Sequence, residues 1–265
     1  MFIESFDGTK LFLNKEIKEN DRAVCVIVHG LKEHQGHYDY LAEKFHEAGI
    51  GTCRFDHRGH GRSEGERAYY RDFSELSGDV NAVADLAIKE NPDRPVFILG
   101  HSMGGFASLL FGAGYPGKRI RGIIVNGALS RDTKGSMTHL KEGIDPHFRI
   151  SNPIGAKVCS VPEILRAYEK DPLNLSFYSA GLAYALKNGV AWLEEHIAEF
   201  RYPVLMTHGE KDMHVSVQDT YETFALLPSE DKQMKIYGGM LHEIYNEAGR
   251  DETIGDAAAW ILNRS

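Results

Sequence analysis

The chain has 265 residues, 42% hydrophobic and 26% charged, a balance that fits a globular protein long enough to bury a sizeable core. Its net charge of -8 argues against a nucleic-acid partner, which needs a basic surface, and against attraction to anionic lipid headgroups. Apolar runs such as 23–28 and 95–99 are far too short to span a bilayer.

The start, MFIESFDGTK, lacks the basic end, long apolar stretch and small-residue cleavage site of a signal peptide. The 3 cysteines form no CxxC pair, so a reduced, cytoplasmic protein is expected.

Along the chain, residues 10–18 (KLFLNKEIK) read as an exposed antiparallel strand and 23–28 (AVCVIV) as a strand covered on both faces. A helix is expected over 37–48, a strand over 50–55, then a turn-rich stretch, DHRGHGRSEG. Residues 73–89 put Phe73, Leu76, Val80, Val83 and Leu86 on one helical stripe. Strand 96–99, helix 104–114 and strand 120–125 follow. This alternation predicts right-handed βαβ units and a mostly parallel sheet. It breaks after Ala128: residues 129–200 carry scattered Pro and Gly and short helical patterns, with no clear apolar strand. It resumes with strand 203–207, helix 219–227, strand 235–237 and helix 253–262. The economical division is one α/β core in two parts, 1–128 and 201–265, with a helical insertion over 129–200, because the last part alone has too few strands for a stable sheet.

Within LGHSMGG, residues 100–104 fit G-x-S-x-G, with a strand before and a helix after. In that context Ser102 stands on a tight turn at the carboxyl edge of the sheet, near a helix amino end that favours negative charge. The plainer reading is a turn with a capping serine. A nucleophilic serine needs a base, and a base needs an orienting acid. Asp212 follows the strand VLMT, and His242 follows the strand KIY, so both fall on loops at the edge that carries Ser102. Glu210 competes with Asp212, and His214 with His242; His208 reads as a packed, hydrogen-bonded histidine. The N–H groups of Met103 and of Leu31, which follows the turn at His29 and Gly30, are the expected oxyanion donors. His101 and Gly30 are assigned to substrate binding.

The landmarks VHGLKEHQGHY, FDHRGHGRSEG, GHSMGG, DPLN, GEKD and GGMLHE run in order over nearly the whole chain. Together they resemble the monoacylglycerol lipase and lysophospholipase branch of the α/β-hydrolase superfamily. The resemblance implies an α/β-hydrolase fold, Ser102, Asp212 and His242 as a catalytic triad, and Leu31 and Met103 as oxyanion donors. It implies that 129–200 forms a helical cap lining an acyl pocket, and a small-molecule or single-chain lipid ester as substrate, with no cofactor. Within the loop HGxGEHxxRY of the family, Lys32 replaces a glycine and His37 an arginine. Tyr245 stands where some members carry a second histidine on the alcohol side.

Other readings on the same machinery are a short-chain or aryl (feruloyl-type) esterase, a thioesterase or a peptidase; a non-catalytic hydrolase-like binding protein is the competing class. In the cap, Leu182, Leu186, Trp192, Leu193 and Ile197 read as packing on the core, leaving at most weak contact with a membrane surface. Asp56 and Arg58 read as loop-bracing groups, and Glu33 as a brace for the oxyanion loop. The pairs His57/His60 and His34/His37 have metal-compatible spacing but no evident carboxylate or cysteine to complete a site, so no metal is expected. The sequence gives no oligomeric state.

Overall fold

A computed structural model describes residues 1–136, 140–152 and 157–265. Eight strands form one sheet in the order β1-β2-β4-β3-β5-β6-β9-β10. They are β1 (Phe2–Glu4), β2 (Lys10–Glu16), β3 (Ala23–Val28), β4 (Ile50–Phe55), β5 (Val96–His101), β6 (Ile120–Asn126), β9 (Val204–Gly209) and β10 (Lys232–Tyr237). Only β1–β2 and β2–β4 pair antiparallel; every other pair is parallel.

Strand alternation explains why this sheet needs helices on both sides. From β3, Val24, Val26 and Val28 join one core, and Ala23, Cys25 and Ile27 the other. The first core is closed by α2 (Ser74–Glu90), α3 (Met103–Gly114) and α5 (Ala180–His196), through residues such as Leu76, Val80, Phe106 and Leu182. The second is closed by α1 (Asp39–Glu47) and α7 (Arg250–Leu262), through Leu41, Phe45, Ile254 and Ile261. Helix α6 (Val217–Leu226) sits beside β9.

Between β6 and β9 the chain leaves the sheet. This stretch holds α4 (Pro162–Lys170) and α5. It also holds two strands the sequence reading missed, β7 (Arg149–Ser151) and β8 (Phe177–Ser179), paired antiparallel. Each is three residues, too short to give a period-2 signal. Leu182, Leu186, Leu193 and Ile197 are buried in the first core, and Trp192 packs against it, so the apolar side of α5 faces the sheet layer. Among the described residues no helix is long and apolar enough to cross a membrane.

Two edge elements also differ from expectation. Strand β1 lies outside the strands the sequence predicts, and β10 begins at Lys232, not at Lys235. Both lie at sheet edges, where side chains stay partly exposed and polar and the apolar signature fades.

Candidate active site

Ser102 follows β5 directly, with φ 53° and ψ -117°, a left-handed conformation that non-glycine residues rarely adopt. Its neighbours leave no choice of size. A Cβ on Gly104 would lie 2.1 Å from the Val28 carbonyl oxygen, and one on Gly100 would lie 2.3 Å from the Gly104 carbonyl oxygen. Ser102 makes no side-chain capping hydrogen bond to α3, which removes the plainer reading of this turn. Its N–H is held by the Asn126 carbonyl at 2.8 Å.

Asp212 follows β9 and is fully engaged. Oδ1 accepts from the N–H groups of His214 at 2.7 Å and Val215 at 3.0 Å. Oδ2 meets His242 Nδ1 at 2.6 Å and His208 Nε2 at 3.0 Å. Burial pushes the pKa of this carboxyl up, but the His242 ring and the contacts with His208 and His242 outweigh it, so the group is held below the usual carboxylate range. An ionised Asp212 fixes the proton of His242 on Nδ1, leaving Nε2 as the basic nitrogen. Burial lowers the His242 imidazolium, Asp212 raises it more, and the net shift is upward. Glu210 does not compete: its carboxylate accepts from Gly239 N–H at 2.9 Å and braces the loop that leads to His242. His208 contributes more than packing, since it is a second ring on Asp212 and is held by Thr220 at 2.7 Å.

A cavity of about 420 Å³ brings Ser102 and His242 together with Gly30, Leu31, His101 and Met103. Among the described residues, no protein acceptor takes the N–H of Leu31 or Met103. The Gly30 N–H is already given to Glu33 Oε1, so Gly30 supplies space for the elbow and not a donor. A Cβ there would come within 3.1 Å of Ser102 Cβ. Glu33 braces this loop as expected, also accepting from Tyr38 Oη at 2.8 Å. His101 is buried, is bonded to Asn126 Nδ2 at 2.7 Å and lies 4.5 Å from the His242 ring. Burial and the His242 charge push it down to about 3, so it is a neutral ring beside His242.

The cavity lining combines apolar side chains, among them Leu129, Val158, Leu186 and Val215, with polar ones, among them Glu33, His37, Tyr168 and Glu243. His37 stacks on Tyr168 at 4.0 Å and faces Glu33 at 3.3 Å. Glu243 accepts from Tyr168 Oη and from Asn246 Nδ2 at 3.1 Å. Burial, then Glu33, pushes Glu243 up to about 7. Tyr168 and Glu243 escaped the sequence reading because α4 and the loop after β10 bring them to His37 from far along the chain. Tyr245 does not line this cavity; it is buried in the second core, 3% exposed.

The histidine pairs need one correction. Asp171 does complete a carboxylate-bearing group with His34 and His37, their ligand atoms within 4.8 Å of one another. The hydrogen bonds nonetheless assign His34 another task. Its Nδ1 accepts from Gly36 N–H at 3.1 Å, so Nε2 carries the proton and donates to Asp171 at 2.9 Å. His34 thus ties the loop after β3 to the segment after α4. His57 and His60 are buried and pushed down to about 3 and about 4 by that burial, and His57 is bonded to His29. Arg58 pairs with Asp79, Asp7 and Glu75, and Asp56 accepts from Gln35 and Arg62 N–H groups, so both brace loops.

Residues 19–249 match the protein family described as "Serine aminopeptidase, S33". The chain is 32% identical over 248 residues to a monoacylglycerol lipase of Mycolicibacterium smegmatis, covering 91% of this chain and 89% of that one. It is also 32% identical over 258 residues to the human monoglyceride lipase, covering 92% and 84%. A soluble variant of the Saccharomyces cerevisiae monoglyceride lipase, solved with a substrate analog, has the same fold: TM-score 0.88, 22% identity, covering 100% of this chain and 95% of that one. The strained serine after β5, the strand order and these matches agree, and the chain belongs to the serine aminopeptidase S33 family of α/β-hydrolases.

Proposed function

We propose that this protein is a serine hydrolase that cleaves carboxylic esters through an acyl-enzyme, with monoacylglycerols or other single-chain esters as substrates. The observation that carries the reading is the Asp212–His242 pair, joined at 2.6 Å, whose histidine lines one cavity with a strained, uncapped Ser102. Ser102 Oγ attacks the ester carbonyl while His242 Nε2 takes its proton. The tetrahedral oxyanion rests on the N–H groups of Leu31 and Met103, each worth ~2.7–4 kcal/mol in the transition state. His242 then protonates the departing alcohol, and water activated by the same ring releases the acid. Asp212 holds the tautomer and stabilises the imidazolium; neither step needs a cofactor.

The mixed lining of the cavity suits a single-chain ester, with apolar side chains such as Leu129 and Leu186 taking the acyl chain and polar ones the alcohol. Residues 129–200 serve as the cap that supplies Leu129, Val158, Tyr168 and Leu186 to it. A cytoplasmic setting suits the three free, buried cysteines. The names of the relatives favour monoacylglycerol, whereas the family description names a peptidase.

A fluorophosphonate probe should label the wild type and leave Ser102→Ala unlabelled; equal labelling of both would sink the assignment. Next, kcat/KM should be measured on p-nitrophenyl esters of rising acyl length, a 1-monoacylglycerol, a lysophospholipid and an amino-acid amide. A maximum at long chains with monoacylglycerol turnover is expected. A maximum at short or aryl acyl groups would replace the lipase reading with a carboxylesterase, and turnover of the amide alone with a peptidase.

A further inference from the structure

Lys32 occupies the cavity in a way that neither the triad nor the oxyanion turn requires. It is one residue beyond Leu31 and lines the same cavity as Ser102. Its φ is 71°, in the left-handed region where a non-glycine residue carries strain. A lysine in that conformation needs a compensating reason, and its carbonyl does not give one. That oxygen accepts from Leu175 N–H at 2.9 Å, a bond any residue could make. The side chain turns to the cavity, where Nζ donates to the Asn152 carbonyl at 2.9 Å. Among the described residues no carboxylate lies within ion-pair distance of it. This is a partly buried cation answered only by a neutral dipole, in a protein with net charge -8.

The surroundings share the sign. Lys134 donates to the Asp212 carbonyl at 3.3 Å, and both lysines act, after burial and His242, to lower the His214 ring to about 4. His214 also lines the cavity and is therefore a neutral ring there. The carboxylates that line the cavity do not serve these cations. Glu33 is held by Gly30, Tyr38 and His37, and Glu243 by Tyr168 and Asn246. Burial pushes the Lys32 ammonium down to about 8, a cost that an incoming anion would offset.

We propose that Lys32 recognises an anion: the site accepts single-chain esters that carry a carboxylate or phosphate within side-chain reach of the scissile bond. This rests on the ester-hydrolase reading above and narrows its substrate class. The anion sits against Nζ while the carbonyl oxygen sits on Leu31 and Met103, one residue away along the loop.

The test compares matched esters within each protein. One pair is p-nitrophenyl hexanoate and mono-p-nitrophenyl adipate, which places a carboxylate on the acyl side. The other is 1-lauroylglycerol and 1-lauroylglycerol 3-phosphate, which places a phosphate on the alcohol side. Wild type should favour the anionic member of one pair by about tenfold in kcat/KM, and the pair that responds identifies the source of the anion. Lys32→Met, which keeps the apolar stem, and Lys32→Gly, which also relieves the left-handed strain and keeps the Leu175 bond, should both bring that ratio near one. No anion preference in the wild type overturns the proposal. So do variants that slow both members equally, because a lysine that only straps the loop to the insertion would act that way. Wild type that neither takes the fluorophosphonate label nor cleaves the neutral esters would overturn the underlying hydrolase reading instead.

Discussion

The Asp212 carboxylate accepts three hydrogen bonds, from the His214 and Val215 N–H groups and the His242 ring, and lies 3.0 Å from His208 Nε2, and this engagement sets the chemistry expected of His242. A base must be neutral to accept the Ser102 proton. His242 is held above its ordinary value, Asp212 outweighing burial, so kcat/KM should rise with pH through a midpoint above 6.5. Replacing Asp212 by Asn removes the anion that favours the charged ring, and the midpoint should fall. It also loses the fixed tautomer, and kcat should drop by roughly 10³–10⁴. Glu243 sits near 7 in the same cavity, so the informative quantity is the displacement between wild type and Asp212→Asn, read from parallel pH profiles. An unmoved midpoint would mean that Asp212 does not govern His242. At this scale the sequence points to Ser102, Asp212 and His242, because Ser102 directly follows a strand, the other two lie on the loops after β9 and β10, and each sits in a short motif. It hides His208, Tyr168 and Glu243, whose roles arise from contacts between segments with no spacing rule to link them.

The turn between β5 and α3 shows how tightly an element can be constrained by its neighbours. A methyl group at Gly104 would collide with two backbone oxygens, those of Val28 at 2.1 Å and His29 at 2.5 Å. Neither can yield without moving β3. At the other end of the same helix, a methyl group at Gly114 would make only ordinary contact with Trp192, at 3.5 Å. Gly104→Ala should therefore cost about 3 kcal/mol or more and disturb the oxyanion turn, while Gly114→Ala should be neutral or slightly stabilising. Urea unfolding of the two variants checks this, and equal effects would contradict the crowding argument. The same contrast explains which elements were legible. β3, β4, β5 and β9 are buried along their length, β6 at all but Arg121, and they read as strands from the sequence. β1, β7, β8 and the start of β10 are short or partly exposed, and their pairing comes from backbone partners that composition does not reveal.

At the scale of the whole molecule, the insertion shares a core with the sheet. Leu182, Ala185, Leu186 and Leu193 of α5 belong to the same apolar cluster as Val26, Ile98 and Phe106. Phe200, fully buried, covers Gly112 of α3 so closely that a methyl group there would lie 2.2 Å from its ring. An independently folding lid would keep its own core and unfold on its own. Shared burial predicts the opposite: one cooperative transition in which sheet and insertion are lost together. Leu182→Ala removes a fully buried side chain from that shared cluster and should cost about 2–5 kcal/mol. Far-ultraviolet circular dichroism, which follows the sheet and helices, and the fluorescence of Trp192, which packs against the cluster from α5, should report the same midpoint in wild type and shift together in Leu182→Ala. With Trp260 on α7 replaced by Phe, Trp192 becomes the only reporter, since the chain has 2 tryptophans. If Trp192 fluorescence changed at lower urea than the circular dichroism, the insertion would be a separate unit, and the cavity wall it supplies could open without unfolding the core.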